Sequence, residues 1–414
     1  MERKKTVIVG GGAAGLVAAV LLGRELHGEV LLLERLPRVG KKLLATGNGT
    51  CNITNIRAEE ACYHGDSALA AAVIEGFSPA DALRFYESVG VVCETRGDGK
   101  CYPRCEQAAA VLDCLRLAAA ECGAELRCEQ SVTAISPQKG GLLIVTDKGD
   151  LLADTVLVCT GGAAAPSLGG STDGYALLTA LGHRRTPLFP AIVQLRTDTA
   201  LVRAMKGLRV DAAVTVTTEK ARRREVGEVL FTDYGLSGPP VLQVSRLAAD
   251  WERQKRGACT VSLDLFPTMT KEETAALMQG RRAFPTRTME DFFTGLLQKR
   301  VGQTVVRACG LPLTQPIGAL RERDMARLTD TVKSWEFAVL GTQGFGGAQV
   351  TAGGIDTADF DRATLQSKKM PRLFAAGEML NVDGDCGGFN LQFAAASAAA
   401  AARGILTLLK GGAV

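Results

Sequence analysis

Thr6-Val7-Ile8-Val9-Gly10-Gly11-Gly12-Ala13-Ala14-Gly15 is the stretch whose reading decides the fold. Four β-branched residues run straight into a G-x-G-x-x-G triplet, and Leu16 to Leu26 continues as an apolar Leu/Val/Ala run whose only breaker is Gly23. Strand, glycines and helix in that order form the turn that holds a dinucleotide. Gly10 permits the tight turn, Gly12 lets the backbone approach a pyrophosphate, and Gly15 allows close packing of helix on strand. Ala13 and Ala14 then lie in the first helical turn, where unpaired N–H groups and the helix dipole favour an anion. A second strand, Val30 to Leu33, ends at Glu34, 19 residues after Gly15, with Arg35 beside it. A carboxylate placed there accepts hydrogen bonds from a ribose diol.

Working outward, the chain is 414 residues long, which predicts two or three domains. Charged residues make up 22%, and 48 basic against 44 acidic side chains leave a formal charge of +4. That balance excludes an acidic disordered chain and a strongly polybasic nucleic-acid binder. The three histidines, His27, His64 and His183, are scattered, so no metal site is predicted. The twelve cysteines contain no C-x2-C pair, the nearest spacing being Cys101 and Cys105. With no signal peptide after Met1, they read as reduced thiols of a cytoplasmic protein. The apolar stretch Leu391 to Leu409 is mostly alanine and carries Arg403, so it reads as a buried helix and no membrane insertion is expected.

Two further strand-like runs end in small residues. Thr155 to Cys159 leads into Thr160-Gly161-Gly162, and Leu373 to Ala376 into Gly377-Glu378. Neither opens a second dinucleotide fold. One nucleotide held by segments spread over the chain points to FAD, because an extended flavin needs contacts from several strands. No His stands in a flavin-linkage motif, so the binding is expected to be noncovalent.

Three more blocks carry a resemblance to a known family. They are Gly40-Lys41-Lys42 through Gly47-Asn48-Gly49-Thr50-Cys51-Asn52-Ile53-Thr54-Asn55, Gly227 to Pro239, and Gly377-Glu378 through Asp383, Gly388, Phe389, Asn390, Leu391 and Gln392. With the N-terminal fingerprint they resemble, in order, the HI0933-like flavoproteins, also called the BaiN-like or aminoacetone-oxidase-type family. The resemblance implies an α/β, Rossmann-like FAD-binding domain of the glutathione-reductase and fumarate-reductase flavoprotein type, interrupted by an insert. It implies flavin contacts from Lys41, Lys42, Gly47, Asn48, Gly49, Cys51, Asn52 and Asn55 in the first block and from Gly377, Glu378, Asp383, Gly388, Phe389, Asn390 and Leu391 in the third, together with Val132, Thr160 and Gly161. It further implies flavin-dependent oxidoreduction, in some members of a C=C bond conjugated to a carbonyl in 3-oxo bile acids, while other members carry an amine-oxidase label. The chain departs from the family's usual residues at Thr50 (Arg), Asn381 (Asp) and, against some members, Asp233 (His).

Read physically, Gly47 to Asn55 is rich in short amides and backbone N–H groups that can approach a flat ring edge. Gly387-Gly388 opens a long alanine-rich helix whose N-terminal dipole would stabilise negative charge on a reduced flavin. Pro187 and Pro190 mark an exit from the sheet, and the glycines from Gly341 to Gly354 a return. We therefore expect an FAD domain of residues 1–190 plus 342–414, and a substrate-capping insert over 191–341. The insert should be β-barrel-like over 191–269 and helical over about 270–333. Between 190 and 350 there are 23 basic and 17 acidic residues, a charge suited to drawing in an anionic substrate or NADPH. Lys220 to Arg224 reads as a hairpin tip, and Gly238-Pro239 as a stop.

The leading expectation is an FAD-dependent reductase of a carbonyl-conjugated C=C bond in a small, steroid-like or anionic substrate. NAD(P)H would be a transient donor, and Tyr234, with Tyr102 in reserve, the proton donor. No nucleic-acid partner is expected on that reading, and oligomeric state is left open. The alternatives are an O2-using amine or amino-ketone oxidase and a flavin-bearing RNA-interaction or sensor protein.

Overall fold

The computed structural model describes residues 1–411. The chain separates into two compact units, one of Met1–Leu188 together with the chain from Val350 onward, the other of Phe189–Gln349.

In the first unit, β1 (Glu2–Val9) runs parallel to β2 (Val30–Leu33) on one side and to the strand Leu151–Val158 on the other. Leu151–Val158 is shared along its second edge. Its first residues pair antiparallel with Gly141–Thr146, and its last three, Val156 to Val158, pair parallel with Leu373–Ala375. Glu125–Arg127 extends the sheet beyond β2, and Val132–Gln138 beyond Gly141–Thr146. The central strands are apolar on both faces because both faces are covered. Val7, Ile8, Leu31, Leu32, Val156 and Leu157 are fully buried. α1 (Ala13–Leu26) packs against the helix Phe389–Lys410, whose run Ala394 to Ala402 is buried throughout. Short alanine side chains let the two helices approach closely. The C-terminal helix is long and apolar enough to cross a membrane, yet most of it lies inside this core.

The pairing registers set the site. Val9 stands opposite Leu33 and Val158, and Val158 opposite Ala375, so all these strands end level. Gly10, Glu34, Cys159 and Ala376 therefore emerge together at the carboxyl edge, where α/β sheets bind ligands.

The second unit contains a closed barrel in the order Leu195–Thr197, Gly235–Ser237, Arg222–Phe231, Arg209–Thr218, Cys259–Asp264, Trp335–Thr342. Helices Lys271–Gly280, Lys299–Ala308 and Glu322–Lys333 share its apolar core through Met278, Val305 and Leu328. Three local expectations change. Arg222 to Arg224 are not a hairpin tip but the first residues of a ten-residue strand, the turn falling at Thr218–Ala221. Pro239 does not stop the chain but opens a 16-residue helix. Proline is suited to the first helical turn, where its missing N–H has no partner to lose, and Val241, Val244 and Ala248 then line the buried face. The run Ile192 to Leu195 reads as a strand in sequence, but Ile192 has a left-handed backbone and the strand begins only at Leu195.

Phe374 is fully buried on the strand Leu373–Ala375. Phe374→Ala should lower the unfolding free energy by about 3–5 kcal/mol. Replacing exposed Leu117 by Ser should change it by less than about 0.5 kcal/mol. Urea titrations followed by circular dichroism check both values.

Candidate cofactor site

Gly10 is left-handed (φ +108°), and a β-carbon there would lie 2.5 Å from the Cys159 carbonyl oxygen. A β-carbon on Gly15 would fall onto the Gly10 carbonyl. These two glycines are thus required by the packing itself. Gly12 differs. It caps α1 with no side chain of its own, and a β-carbon there would meet nothing within 4 Å. The space beside it is open, and no acidic residue occupies the first turn to discourage an anion. Ala13 and Ala14 begin that turn.

Glu34 ends β2 as expected, and its carboxylate is positioned by two amides, with Gly11 N–H at 2.9 Å and Leu36 N–H at 2.8 Å. Each oxygen keeps a lone pair for a hydroxyl. Arg35 points away, donating to Asp173 and the Gly169 carbonyl.

On the same carboxyl edge, Lys42 donates to both oxygens of Glu378, at 2.9 and 2.7 Å. Glu378 also accepts from the Thr351 N–H at 2.9 Å. Its carboxylate lies about one contact distance from Gly161, and Gly377 backs onto Ala14. Thr351, which also accepts the Ala164 N–H, was not legible in advance, because only the fold brings it beside Glu378. Thr160 Oγ1 is buried without a partner. Lys41 is half-buried, and Val132 begins its strand opposite Thr146.

The ring-edge loops meet further along. Gly47 and Asn48 are left-handed, as is Cys51. Cys51 is fully buried, and burial pushes its thiol up to about 11, so it is a packed thiol and not a nucleophile. Asn55 donates to the Gly387 carbonyl at 3.0 Å, and Thr54 donates to Gln392 at 2.6 Å, fastening Cys51–Asn55 to the start of the C-terminal helix. Gly388 is left-handed, and a β-carbon there would lie 2.8 Å from Asn52 Oδ1. That oxygen is buried with no hydrogen-bond partner, next to a 22-residue helix whose N-terminus has no side-chain cap. Two members of the expected set are committed within the protein. Asn390 holds Gly384 through both its amide atoms, and the Phe389 ring meets Tyr63 edge-on. Asp383 is buried on the strand Val382–Gly384, and Leu391 is half-buried in the first helical turn.

Of the two tyrosines, Tyr102 stands beside this loop, its Cε1 3.6 Å from a β-carbon on Gly47. Tyr234 belongs to the second unit, on the turn Thr232–Tyr234, where its carbonyl accepts from the Thr197 N–H and neighbouring Asp233 pairs with Lys206.

Free space at Gly12 and the unpartnered Asn52 oxygen stand at the two ends of this set of residues, while Thr160 Oγ1 packs against Gly174. The donors and acceptors of the set suit a pyrophosphate at one end and an amide-edged ring at the other.

The family model described as HI0933-like protein Rossmann domain matches residues 4–404. The chain belongs to the HI0933-like family. It is an FAD-dependent oxidoreductase, as its sequence led us to expect. Among its relatives is a 3-dehydro-bile acid delta(4,6)-reductase of Clostridium scindens, 35% identical over 96% of this chain and 97% of that protein. Another is a ribosomal RNA dihydrouridine synthase of Escherichia coli, 28% identical over 98% of this chain and 99% of that one. Among solved structures, a quinol-fumarate reductase is similar in fold, with a TM-score of 0.52 and 17% identity over all of this chain and 72% of its own. The flavoprotein fold read from this HI0933-like sequence is thereby borne out.

Two substitutions separate cofactor binding from folding. Gly12→Val should leave the thermal midpoint of the apoprotein within about 2 °C while removing the 450 nm absorbance of the purified holoprotein, whereas Gly15→Val should fail to fold. At pH 8, mass spectrometry after iodoacetamide treatment should find exposed Cys105 alkylated and Cys51 unmodified.

Proposed function

We propose that this protein adds two hydrogens across a C=C bond conjugated to a carbonyl, in a small hydrophobic ketone of the 3-oxo-4-ene steroid or bile-acid kind. The relatives' names carry this reading. A delta(4,6)-reductase of a 3-dehydro-bile acid and a dihydrouridine synthase differ in substrate, yet both names denote saturation of a C=C bond in conjugation with a C=O group. The shared element is bond chemistry, which a flavin site supplies and the surrounding protein directs.

FAD bound here would supply the hydride and accept electrons from a transient donor, for which we propose NAD(P)H. The chain's own residues do the rest. Gly12 and the first turn of α1 hold the pyrophosphate, and Glu34 the adenosine ribose. Thr160 and the Lys42–Glu378 pair face the middle of the extended molecule, and Asn52 the ring edge. The uncapped start of the helix Phe389–Lys410 lowers the cost of negative charge beside Gly388. A hydride added at the β-carbon leaves an enolate, whose α-carbon takes a proton. In place of the first choice, Tyr234, we assign that proton to Tyr102, which is half-buried beside Gly47.

An RNA substrate, as the dihydrouridine synthase's name implies for that protein, would share this chemistry, but the charge pattern favours the small molecule. Many cations of the second unit face acids of the same unit, among them Arg209 with Glu228, Lys206 with Asp233, Lys271 with Asp330 and Lys299 with Glu290. Paired charges make a weak phosphate-binding surface. The twelve free cysteines support a reducing, cytoplasmic setting.

The test is an anaerobic one. NADPH or NADH should bleach the flavin, and a 3-oxo-4-ene steroid should restore its colour while gaining two mass units. Colour restored only by dioxygen, or only by uridine-containing RNA, would refute the proposal. Tyr102→Phe should slow recolouring by about 100-fold and leave bleaching unchanged.

A further inference from the structure

Three strands of the first unit make a small separate sheet, with Lys100–Pro103 between Thr54–Asn55 and Cys93–Thr95. Side chains alternate along a strand. Cys101 and Pro103 are therefore buried on one face, while Lys100 and Tyr102 share the other and are half-buried. That second face meets both ring-edge loops. Tyr102 lies against Gly47, and the Lys100 Cε lies 3.5 Å from a β-carbon on Gly387. Asn55, register partner of Lys100, donates to the Gly387 carbonyl, which fixes loop and strand together. Thr50 contributes nothing polar to this face, since its hydroxyl is turned back onto the Gly47 carbonyl at 2.6 Å.

We propose that Lys100 is the group that binds the substrate's carbonyl oxygen and stabilises the enolate, with Tyr102, two residues along the same face, delivering the proton. The proposal rests on the enone-reductase reading above. Residues i and i+2 of a strand present side chains about 7 Å apart. Two long side chains from one face can therefore converge on a C=O group and its neighbouring α-carbon. The Lys100 ammonium donates to Asp98 at 2.7 Å, which takes one of its three N–H bonds and leaves two for a substrate oxygen. The same partner holds the ammonium in its charged form, above the usual lysine range, so it stays a cation across the neutral pH region. In the balance of the step, the hydride and its electron pair arrive at the β-carbon, the C=C π pair becomes the new double bond between the α-carbon and the carbonyl carbon, and the C=O π pair moves onto the oxygen. Lys100 holds that negative charge by hydrogen bonding without losing its proton. The Tyr102 O–H bond then breaks as the α-carbon C–H bond forms, and solvent returns a proton to the phenolate.

The experiment uses holoprotein reduced with dithionite, so no donor is involved, and mixed anaerobically with a 3-oxo-4-ene steroid in a stopped-flow instrument. Lys100→Met and Lys100→Gln should each recolour about 100-fold more slowly than wild type, with FAD content and visible spectrum unchanged. Lys100→Arg should recover to within about 5-fold. Binding of the corresponding saturated 3-ketone should weaken in Lys100→Met, and binding of the analogue lacking the oxygen should not. Wild-type rates in both neutral variants would overturn the assignment of Lys100 while leaving the reductase reading intact, and loss of FAD from both would assign Lys100 to the cofactor instead. Wild-type protein that no enone recolours would bring down the reductase reading and this proposal with it.

Discussion

The approach of backbone to backbone at the carboxyl end of β1 is the constraint on which the rest of this protein depends. The chain leaves β1 at Gly10 and passes within contact of the Cys159 carbonyl as it turns into α1, and Gly15 then lies on the Gly10 carbonyl. A side chain at either glycine would push the helix off the strand. Because neighbouring parallel strands end level, one tight turn places a helix N-terminus, the Glu34 carboxylate and the Thr160-Gly161 corner on the same edge. Positioning of the nucleotide therefore follows from sheet register and needs few dedicated side chains.

The other end of the site is held differently. Hydrogen bonds from Thr54 and Asn55 to Gln392 and the Gly387 carbonyl tie a left-handed loop to the start of the C-terminal helix. That helix is anchored against α1 by its alanines, so its dipole is fixed with respect to the loop. The buried, unpartnered Asn52 oxygen lies where the two meet. A buried acceptor without a donor costs about 1–3 kcal/mol. A ring N–H bonded there would relieve this cost, which couples cofactor binding to stability.

What the sequence made legible was local. Thr6 to Gly15, Val30 to Glu34, Leu373 to Glu378 and the helix from Phe389 each carry their pattern within a few residues, and each was found close to its observed limits. Where tertiary pairing decides, reading failed or fell short. Arg222 to Arg224 are charged and beside a turn, yet they form a strand because Thr215 to Thr217 pair with them. The dipeptide Gly238-Pro239 looks the same before a loop or a helix until the buried face from Val241 is counted. Asn390 looked like a cofactor amide, and only the fold shows both its ends engaged by Gly384. Thr351 carries no motif, and it comes to the site through long-range contacts that no spacing in the sequence announces.

We propose that the edge built by Gly10, Gly12, Gly15 and Glu34, continued by Thr160, Glu378 and Asn52, holds one complete flavin dinucleotide. The most direct measurement is the mass and amount of the molecule released when purified protein is denatured in acid. FAD is expected, at one equivalent per chain and free in the supernatant. Recovery of FMN, of a nicotinamide dinucleotide alone, or of flavin that stays attached to the precipitated chain would contradict it.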